Sequence, residues 1–144
     1  MLIGLDPLLT ADLLHALAAM GHGDRIVLVD ANYPATRGRR LITLPGADAP
    51  RTLRAILSLL PIDTFVRDPA AVMQVVGDPT AVPPVVAEIN AILAEHGASP
   101  PAVIDRHGFY AEAETAYAIV ATGERRFYGN VMLTKGVLPP EATP

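Results

Sequence analysis

Hydrophobic positions along this chain recur with two periods, one typical of helices and one typical of strands. The first helix is predicted after Thr10, a favourable N-terminal cap, with apolar side chains three or four residues apart and Gly21 at its end. The β-branched run from Arg25 to Asp30 then predicts a buried strand that places a carboxylate at its C-terminal end. His22 lies in the short loop that enters this strand.

The same alternation of helices and strands continues to the end of the chain. Further strands are predicted at 41–44, 70–76, 102–105, 117–121 and 131–133, and further helices at 49–60, 81–97 and 109–116. The last two strands flank a glycine-containing turn. Such alternation predicts an α/β fold, and we expect one domain over residues 1–144, with α/β/α layers around a mostly parallel sheet and a loose tail at 139–144.

Composition narrows the class of protein. Hydrophobic residues make up 51% of the chain and charged residues 18%, which excludes a disordered protein. A net charge of −4 with a single lysine, Lys135, argues against a nucleic-acid partner, and the lack of cysteine excludes disulfides. No signal peptide or apolar run of about 20 residues is present, so we expect a cytoplasmic protein without a membrane span. The high apolar content favours contacts between subunits.

Polar clusters occur where the predicted strands and helices end, and open α/β sheets bind ligands at the ends of their strands. They are Gly21-His22-Gly23-Asp24, Asp30 with Asn32-Tyr33-Pro34, Asp105-Arg106-His107 with Phe109-Tyr110, and Tyr128-Gly129-Asn130. No cluster is a specific motif by itself. A histidine between two glycines is as compatible with a structural loop as with catalysis.

Several kinds of site are excluded by missing motifs. Neither glycine-rich phosphate-binding motif follows a strand, so no nucleotide cofactor is predicted. The four histidines show no His-x-x-x-His spacing, and we predict no metal site. Ser58 and Ser99, the only serines, do not lie in a Gly-x-Ser-x-Gly motif, which argues against a serine hydrolase.

After these exclusions, the function still compatible with the polar clusters is acid/base chemistry on a polyhydroxylated ligand. Interconversion of sugar anomers needs one group that takes the proton of the anomeric hydroxyl and another that protonates the ring oxygen. A free imidazole, with a pKa of about 6.5, exchanges protons in both directions near neutral pH. His22 is therefore compatible with this chemistry, and no cofactor is required.

Four segments together resemble the RbsD/FucU family of sugar mutarotases. They are Met20-Gly-His-Gly-Asp24, Val29-Asp-Ala-Asn-Tyr-Pro34, Leu60-Pro-Ile-Asp-Thr-Phe65 and the stretch from Thr122 to Asn130, within a match from about residue 6 to Val137. The resemblance implies a cofactor-free isomerase that interconverts the α and β anomers of a free monosaccharide. The fucose branch of the family resembles this chain most at 61–65 and 106–110, so L-fucose is the expected sugar.

The family resemblance also implies roles for individual residues and an assembly. The catalytic residues would be His22, Asp63 and Tyr110, and the sugar would be bound by Asp30, Arg106, Tyr128, Gly129 and Asn130. The implied assembly is a homo-oligomeric ring such as a decamer, with sites shared between subunits. We expect Tyr128 and Asn130 of one chain to meet His22 and Asp30 of another.

Four of these residues have a structural alternative when they are considered alone. Asp30 can cap a backbone amide at the end of its strand, and Arg106 can form a surface ion pair with Asp105 or Glu112. Tyr110 can pack its helix on the sheet, and Asp63 can close a turn. Two other functions stay open: a non-catalytic sugar-binding module, and a D-ribose pyranase that shares the fold and the histidine.

Overall fold

A six-stranded sheet runs through the centre of the structure, a computed structural model that describes residues 2–142. The elements follow in the order α1 (Ala11–Ala19), β1 (Arg25–Val29), a short 3-10 helix (Ala35–Arg37), β2 (Leu41–Leu44), α2 (Ala49–Leu57), β3 (Ala70–Met73), α3 (Pro84–Glu95), β4 (Ala102–Ile104), α4 (Arg106–Thr115), β5 (Ala118–Thr122) and β6 (Val131–Thr134). The strand order is β2-β5-β1-β6-β3-β4. Only β6 runs antiparallel to its neighbours, so the predicted α/β fold with a mostly parallel sheet is confirmed.

Helices cover both faces of the sheet. Alternate residues of β1 point to opposite faces, as the period of a strand requires. Ile26 and Leu28 join a core with α1, α2 and α3, whereas Val27 and Val29 join a second core that contains Phe109 of α4. These two cores confirm the three α/β/α layers, with three helices on one face and one helix on the other.

Short polar residues determine where the helices begin. The hydroxyl of Thr10 accepts a hydrogen bond from the amide of Leu13, as predicted for the start of α1. Asp105 does the same for α4, because its carboxylate accepts the amides of His107 and Gly108. The helix predicted at 109–116 therefore begins at Arg106, three residues earlier. This cap places Arg106 in the first helical turn instead of in a loop at the end of a strand.

Other predicted boundaries shift because of proline. The helix predicted from Ala81 begins at Pro84, since a residue that precedes proline disfavours helical backbone and proline suits the first helical position. Val82, which falls inside the predicted helix but before the observed one, is exposed as a result. The strand predicted at 70–76 ends at Met73, and the helix predicted at 49–60 ends at Leu57.

The last two strands are not neighbours in the sheet. They were expected on either side of a glycine-containing turn, but β5 and β6 each pair with β1, one on each side of it. The chain from 123 to 130 therefore crosses the C-terminal end of β1 before β6 begins. This crossing brings residues that are about 100 positions apart in sequence next to Asp30.

The end of the chain is described only in part. Within residues 139–142, the amide of Ala142 donates to the carbonyl of Pro139 and makes a turn. The remainder of the tail that was expected to be loose lies outside the described residues. No helix within residues 2–142 is long and apolar enough to cross a membrane.

Candidate active site

A cavity of about 330 Å³ opens where β1, β3 and β4 end and where α4 and β6 begin. Because β1, β3 and β4 run in the same direction, their C-terminal ends lie at one edge of the sheet, the usual ligand position in α/β folds. The lining residues are Asp30, Asn32, Tyr33, Met73, Val76, Arg106, Tyr110, Phe127, Tyr128 and Asn130. The cavity thus brings together Tyr110 and four of the five predicted sugar-binding residues.

Asp30 and Asn130 form a buried pair in the cavity wall. The backbone amide of Asp30 donates to Asn130 Oδ1 at 2.9 Å, and Asn130 Nδ2 donates to Asp30 Oδ2 at 3.1 Å. Asp30 Oδ1 also accepts the amide of Asn32, so the carboxylate does cap a backbone amide as the structural alternative proposed. Burial raises the pKa of the Asp30 carboxyl, and the hydrogen bonds from Asn32 and Asn130 oppose that rise.

The pairing of Asp30 with Asn130 corrects one expectation from the sequence. Asn130 was expected to meet the Asp30 of another subunit, but its amide contacts the Asp30 of its own chain. That part of the predicted division of the site between subunits is wrong. The reason is the position of β6 beside β1, which places Asn130 at the end of the strand that precedes Asp30.

Aromatic rings form a second wall of the cavity. The rings of Tyr33 and Tyr110 meet edge to face with centroids 5.2 Å apart, and burial raises the pKa of Tyr33. The hydroxyl of Tyr128 accepts a hydrogen bond from the amide of Val76, which ties this ring to the end of β3. Phe127 is 73% exposed at the edge of the cavity. Such rings beside polar groups suit the C–H and O–H faces of a sugar.

Arg106 is available to a ligand. It lies in the first turn of α4 and lines the cavity, and within residues 2–142 it makes no ion pair. Glu112, one of its suggested partners, pairs instead with Arg25 at 2.5 Å. Asp105, the other, caps the helix. Within residues 2–142, Arg106 therefore does not form the surface ion pair that was its structural alternative.

His22 lies at the other end of β1, away from this cavity. It precedes the strand whereas Asp30 follows it, and the five residues of β1 span roughly 15 Å. His22 Nε2 is 3.2 Å from Asp63 Oδ2, and the His22 ring meets the edge of the Phe65 ring at 5.7 Å. The His22 side chain is 47% exposed, whereas that of Asp63 is 1% exposed.

Asp63 holds the histidine in one orientation. Its Oδ1 accepts the amide of Phe65, and this bond, together with the bond from His22, lowers the pKa of the Asp63 carboxyl. An ionised carboxylate only accepts hydrogen bonds, so the neutral imidazole carries its proton on Nε2. Nδ1 of His22 is then the nitrogen that can take a proton from a ligand. Asp63 both closes the turn and orients His22.

An apolar groove of about 620 Å³ adjoins His22. Its lining residues are Leu14, Leu17, Ala18, Met20, His22, Leu59, Pro61, Lys135, Gly136, Val137 and Leu138. The ammonium group of Lys135 donates to the carbonyls of Leu17 and Met20 at 2.8 and 2.6 Å and so completes the C-terminus of α1. The only lysine of the chain is thus committed to the fold.

Sequence reasoning assigned no role to some cavity residues. Met73 ends β3, and Val76 lies three residues after it. Because the predicted strand ended at Val76, the rule that ligands bind at strand ends could have indicated this residue. Gly129, predicted to bind the sugar, packs on Glu124 and does not line the cavity. Within residues 2–142 no group of three or more histidine, cysteine or acidic side chains is placed to hold a metal ion.

Sequence comparison matches residues 3–138 to the RbsD / FucU transport protein family. The chain belongs to this family. Its predicted resemblance to the family is thereby confirmed, over a slightly longer stretch than the motifs indicated.

Individual relatives cover almost the whole chain. The fucose mutarotase of Homo sapiens is 46% identical over 143 residues, which cover 94% of this chain and 93% of the relative. The L-fucose mutarotase of Actinobacillus pleuropneumoniae serotype 5b is 40% identical over 142 residues, covering 96% and 99%. The crystal structure of the fucose mutarotase from Streptococcus pneumoniae, in complex with L-fucose, superposes with a TM-score of 0.90 at 38% identity and covers 96% of this chain and 100% of that one.

Proposed function

We propose that this protein is an L-fucose mutarotase, an isomerase that interconverts the α and β anomers of the free sugar. The observation that carries the proposal is the cavity that brings Asp30, Arg106 and Asn130 together with the rings of Tyr33 and Tyr110. The relatives named fucose mutarotase and the similar structure that contains L-fucose support the choice of sugar. The cavity volume of about 330 Å³ lies within the usual range for small-molecule sites.

The proposed reaction is a reversible opening of the sugar ring. Nδ1 of His22 takes the proton of the anomeric hydroxyl while the bond between C1 and the ring oxygen breaks. The ring oxygen receives a proton, for which the Tyr110 hydroxyl in the cavity is the proposed donor. The aldehyde at C1 rotates and recloses on the other face, with each proton returned in reverse. Asp30, Arg106 and Asn130 hold the sugar hydroxyls, as the family resemblance implies.

Asp63 is proposed to orient His22 and not to transfer a proton itself. Its side chain is 1% exposed and both of its oxygens already accept hydrogen bonds, from His22 and from the Phe65 amide. A carboxylate held this way fixes the imidazole tautomer, as in other paired histidines. The proton-transfer role predicted for Asp63 is therefore replaced by a positioning role in this proposal.

The proposed reaction needs two copies of the chain. His22 lies too far from the Asp30 cavity of its own chain, so His22 of one copy would serve the cavity of another. Apolar surface at both places supports this arrangement, because the groove beside His22 and the exposed Phe127 ring would otherwise face water. By family resemblance we propose a closed ring such as a decamer, acting in the cytoplasm.

The wild-type protein is expected to accelerate anomer exchange of L-fucose with no added cofactor and with EDTA present. The physical reason is that an imidazole and a hydroxyl suffice for ring opening. Exchange NMR at saturating sugar measures the rate against buffer alone, with D-ribose, D-galactose and L-rhamnose in parallel. Fucose binding without acceleration would favour the sugar-binding module, and fastest exchange with ribose would favour the pyranase. Buffer rates for every sugar would exclude the enzyme.

Asp30→Asn is expected to weaken L-fucose binding by about 10- to 100-fold, since hydrogen bonds to charged groups typically contribute 1.5 to 3 kcal/mol. The fold should persist, because asparagine can still accept from the amide of Asn32. Its NH2 group then faces Nδ2 of Asn130, so the loss of that hydrogen bond adds to the loss of affinity. Calorimetric titration with fucose measures the affinity. Asp12→Asn, at an exposed position in α1, is the matched control. An unchanged affinity in Asp30→Asn would remove this carboxylate from the sugar site.

A further inference from the structure

The chain from 123 to 130, here called the crossing loop, carries three cavity residues, Phe127, Tyr128 and Asn130, and one of them has an unusual backbone conformation. Tyr128 has a φ of 66°, the one positive φ outside glycine in the described chain. Such backbone is sparsely populated by residues with a side chain and persists only where the surroundings hold it. The crossing loop lies outside the regular sheet, so ladder hydrogen bonds do not supply this support. Other contacts must therefore hold Tyr128 in this conformation.

Glu124 makes the densest set of contacts in the crossing loop. Glu124 is 3% exposed. Its Oε1 accepts hydrogen bonds from both the backbone amide and Nε of Arg126 at 2.9 Å. Its Oε2 accepts Nη2 of Arg126 at 2.8 Å. These bonds from Arg126 lower the pKa of Glu124 to about 2, so the carboxylate is ionised at neutral pH. Arg126 is held from its other side by Glu88 at 2.6 Å.

The backbone and stem of Glu124 touch both segments that form the Asp30–Asn130 pair. Its carbonyl accepts the amide of Ala31 at 2.8 Å, directly after Asp30. Its Cγ lies against Gly129, where an added Cβ would come within 2.6 Å. Gly129 stands between Tyr128 and Asn130, so the Glu124 side chain supports the loop at the residue that joins these two.

We propose that Glu124 is a positioning residue of the sugar site, which holds Tyr128 and Asn130 against Asp30 without touching the ligand. The alternative is that Glu124 only stabilises the start of α2, since its Oε2 also accepts the amide of Ala49. That contact is 3.4 Å long, whereas the three bonds to Arg126 are 2.8 to 2.9 Å, and Asp48 already caps α2. The geometry therefore points to the crossing loop as the main object of these contacts.

Glu124→Gln tests this proposal, whose activity readout rests on the proposed function. Glutamine keeps the shape but sets an amide N–H against the Arg126 donors, so the crossing loop should move. We expect the Kd for L-fucose to rise, and kcat/KM to fall, by about 10- to 100-fold, the scale of an ångström-level misplacement. Gly129→Ala, which pushes on Glu124 from the other side, should have the same effect. Ile92→Val, in the core two helical turns beyond Val85 on α3, lowers stability and should keep both values.

A double-mutant cycle separates positioning from stability. In an Asn130→Ala background, Glu124→Gln should change the Kd less than it does alone, because the side chain it positions is missing. All proteins are measured at a temperature where circular dichroism and assembly size match the wild type. Wild-type affinity in folded Glu124→Gln, or an equal effect in both backgrounds, would overturn the proposal. If Glu124→Gln does not fold, Gly129→Ala takes its place in the cycle under the same criteria.

The outcomes also separate this proposal from the proposed function. A wild type that binds fucose without accelerating exchange would refute only the mutarotase, and the Kd values would still decide the role of Glu124. If the wild type binds no fucose, crystal structures of wild type and Glu124→Gln decide it. A left-handed Tyr128 and an intact Asp30–Asn130 pair in the variant would then overturn positioning by Glu124, and their loss would support it.

Discussion

His22→Gln is expected to lower kcat for fucose anomer exchange by about 100- to 10,000-fold, the usual contribution of a general acid/base group. Fold and sugar affinity should stay close to wild type. Glutamine can still donate an N–H to Asp63, and the His22 side chain is 47% exposed, so no core contact is lost. What disappears is the nitrogen that accepts the proton of the anomeric hydroxyl. Exchange NMR measures the rate, and calorimetry measures the affinity.

Two companion variants sharpen this test. His15→Gln changes an exposed histidine on α1 and should leave the rate unchanged. Asp63→Asn removes the charge that orients the imidazole, so it should cost less than His22→Gln and add little to it in the double variant, since the two residues act as one unit. Wild-type exchange in His22→Gln would remove His22 from the mechanism. Tyr110, already in the cavity, would then be the first candidate for the proton transfer.

Mixed assemblies of two inactive chains are expected to regain activity. If each site takes His22 from one chain and Asn130 from another, His22→Gln and Asn130→Ala chains, unfolded together and refolded, form intact sites by chance. Random assembly at equal mixing makes about a quarter of the sites wild type. The activity of the mixture should therefore approach about a quarter of the wild-type value. Each variant refolded alone should remain inactive.

A second mixture is the matched control for this experiment. Wild-type chains refolded with an equal amount of the double variant His22→Gln/Asn130→Ala should also give about a quarter of wild-type activity when sites are shared. Sites contained within one chain would instead give about a half in this control and none in the mixture of single variants. This pattern, a half in the control and none in the mixture of single variants, would place all the chemistry within one chain and refute the shared site. Light scattering checks that both mixtures reach the native size.

The local signals in the sequence were sufficient for most elements of the fold. Thr10 caps α1 as predicted, and the β-branched run before Asp30 forms β1. These features act within one turn or one strand, so neighbouring residues determine them. The start of α4 was misplaced because Asp105 was interpreted as part of a strand end and not as a helix cap. Tyr110 and Arg106 nevertheless fell at the cavity, since the predicted end of β4 lies only one residue beyond the observed end at Ile104.

The sequence by itself determined the fold class, the family and most of the residues with suitable chemistry. Only the tertiary structure decided how those residues are grouped. The position of β6 between β1 and β3 joins Asn130 to Asp30, and β1 separates both from His22 and Asp63. Strand order depends on contacts between distant segments, to which the local period of apolar residues is insensitive. The grouping of Asp30 with Asn130 and of His22 with Asp63 follows from those distant contacts.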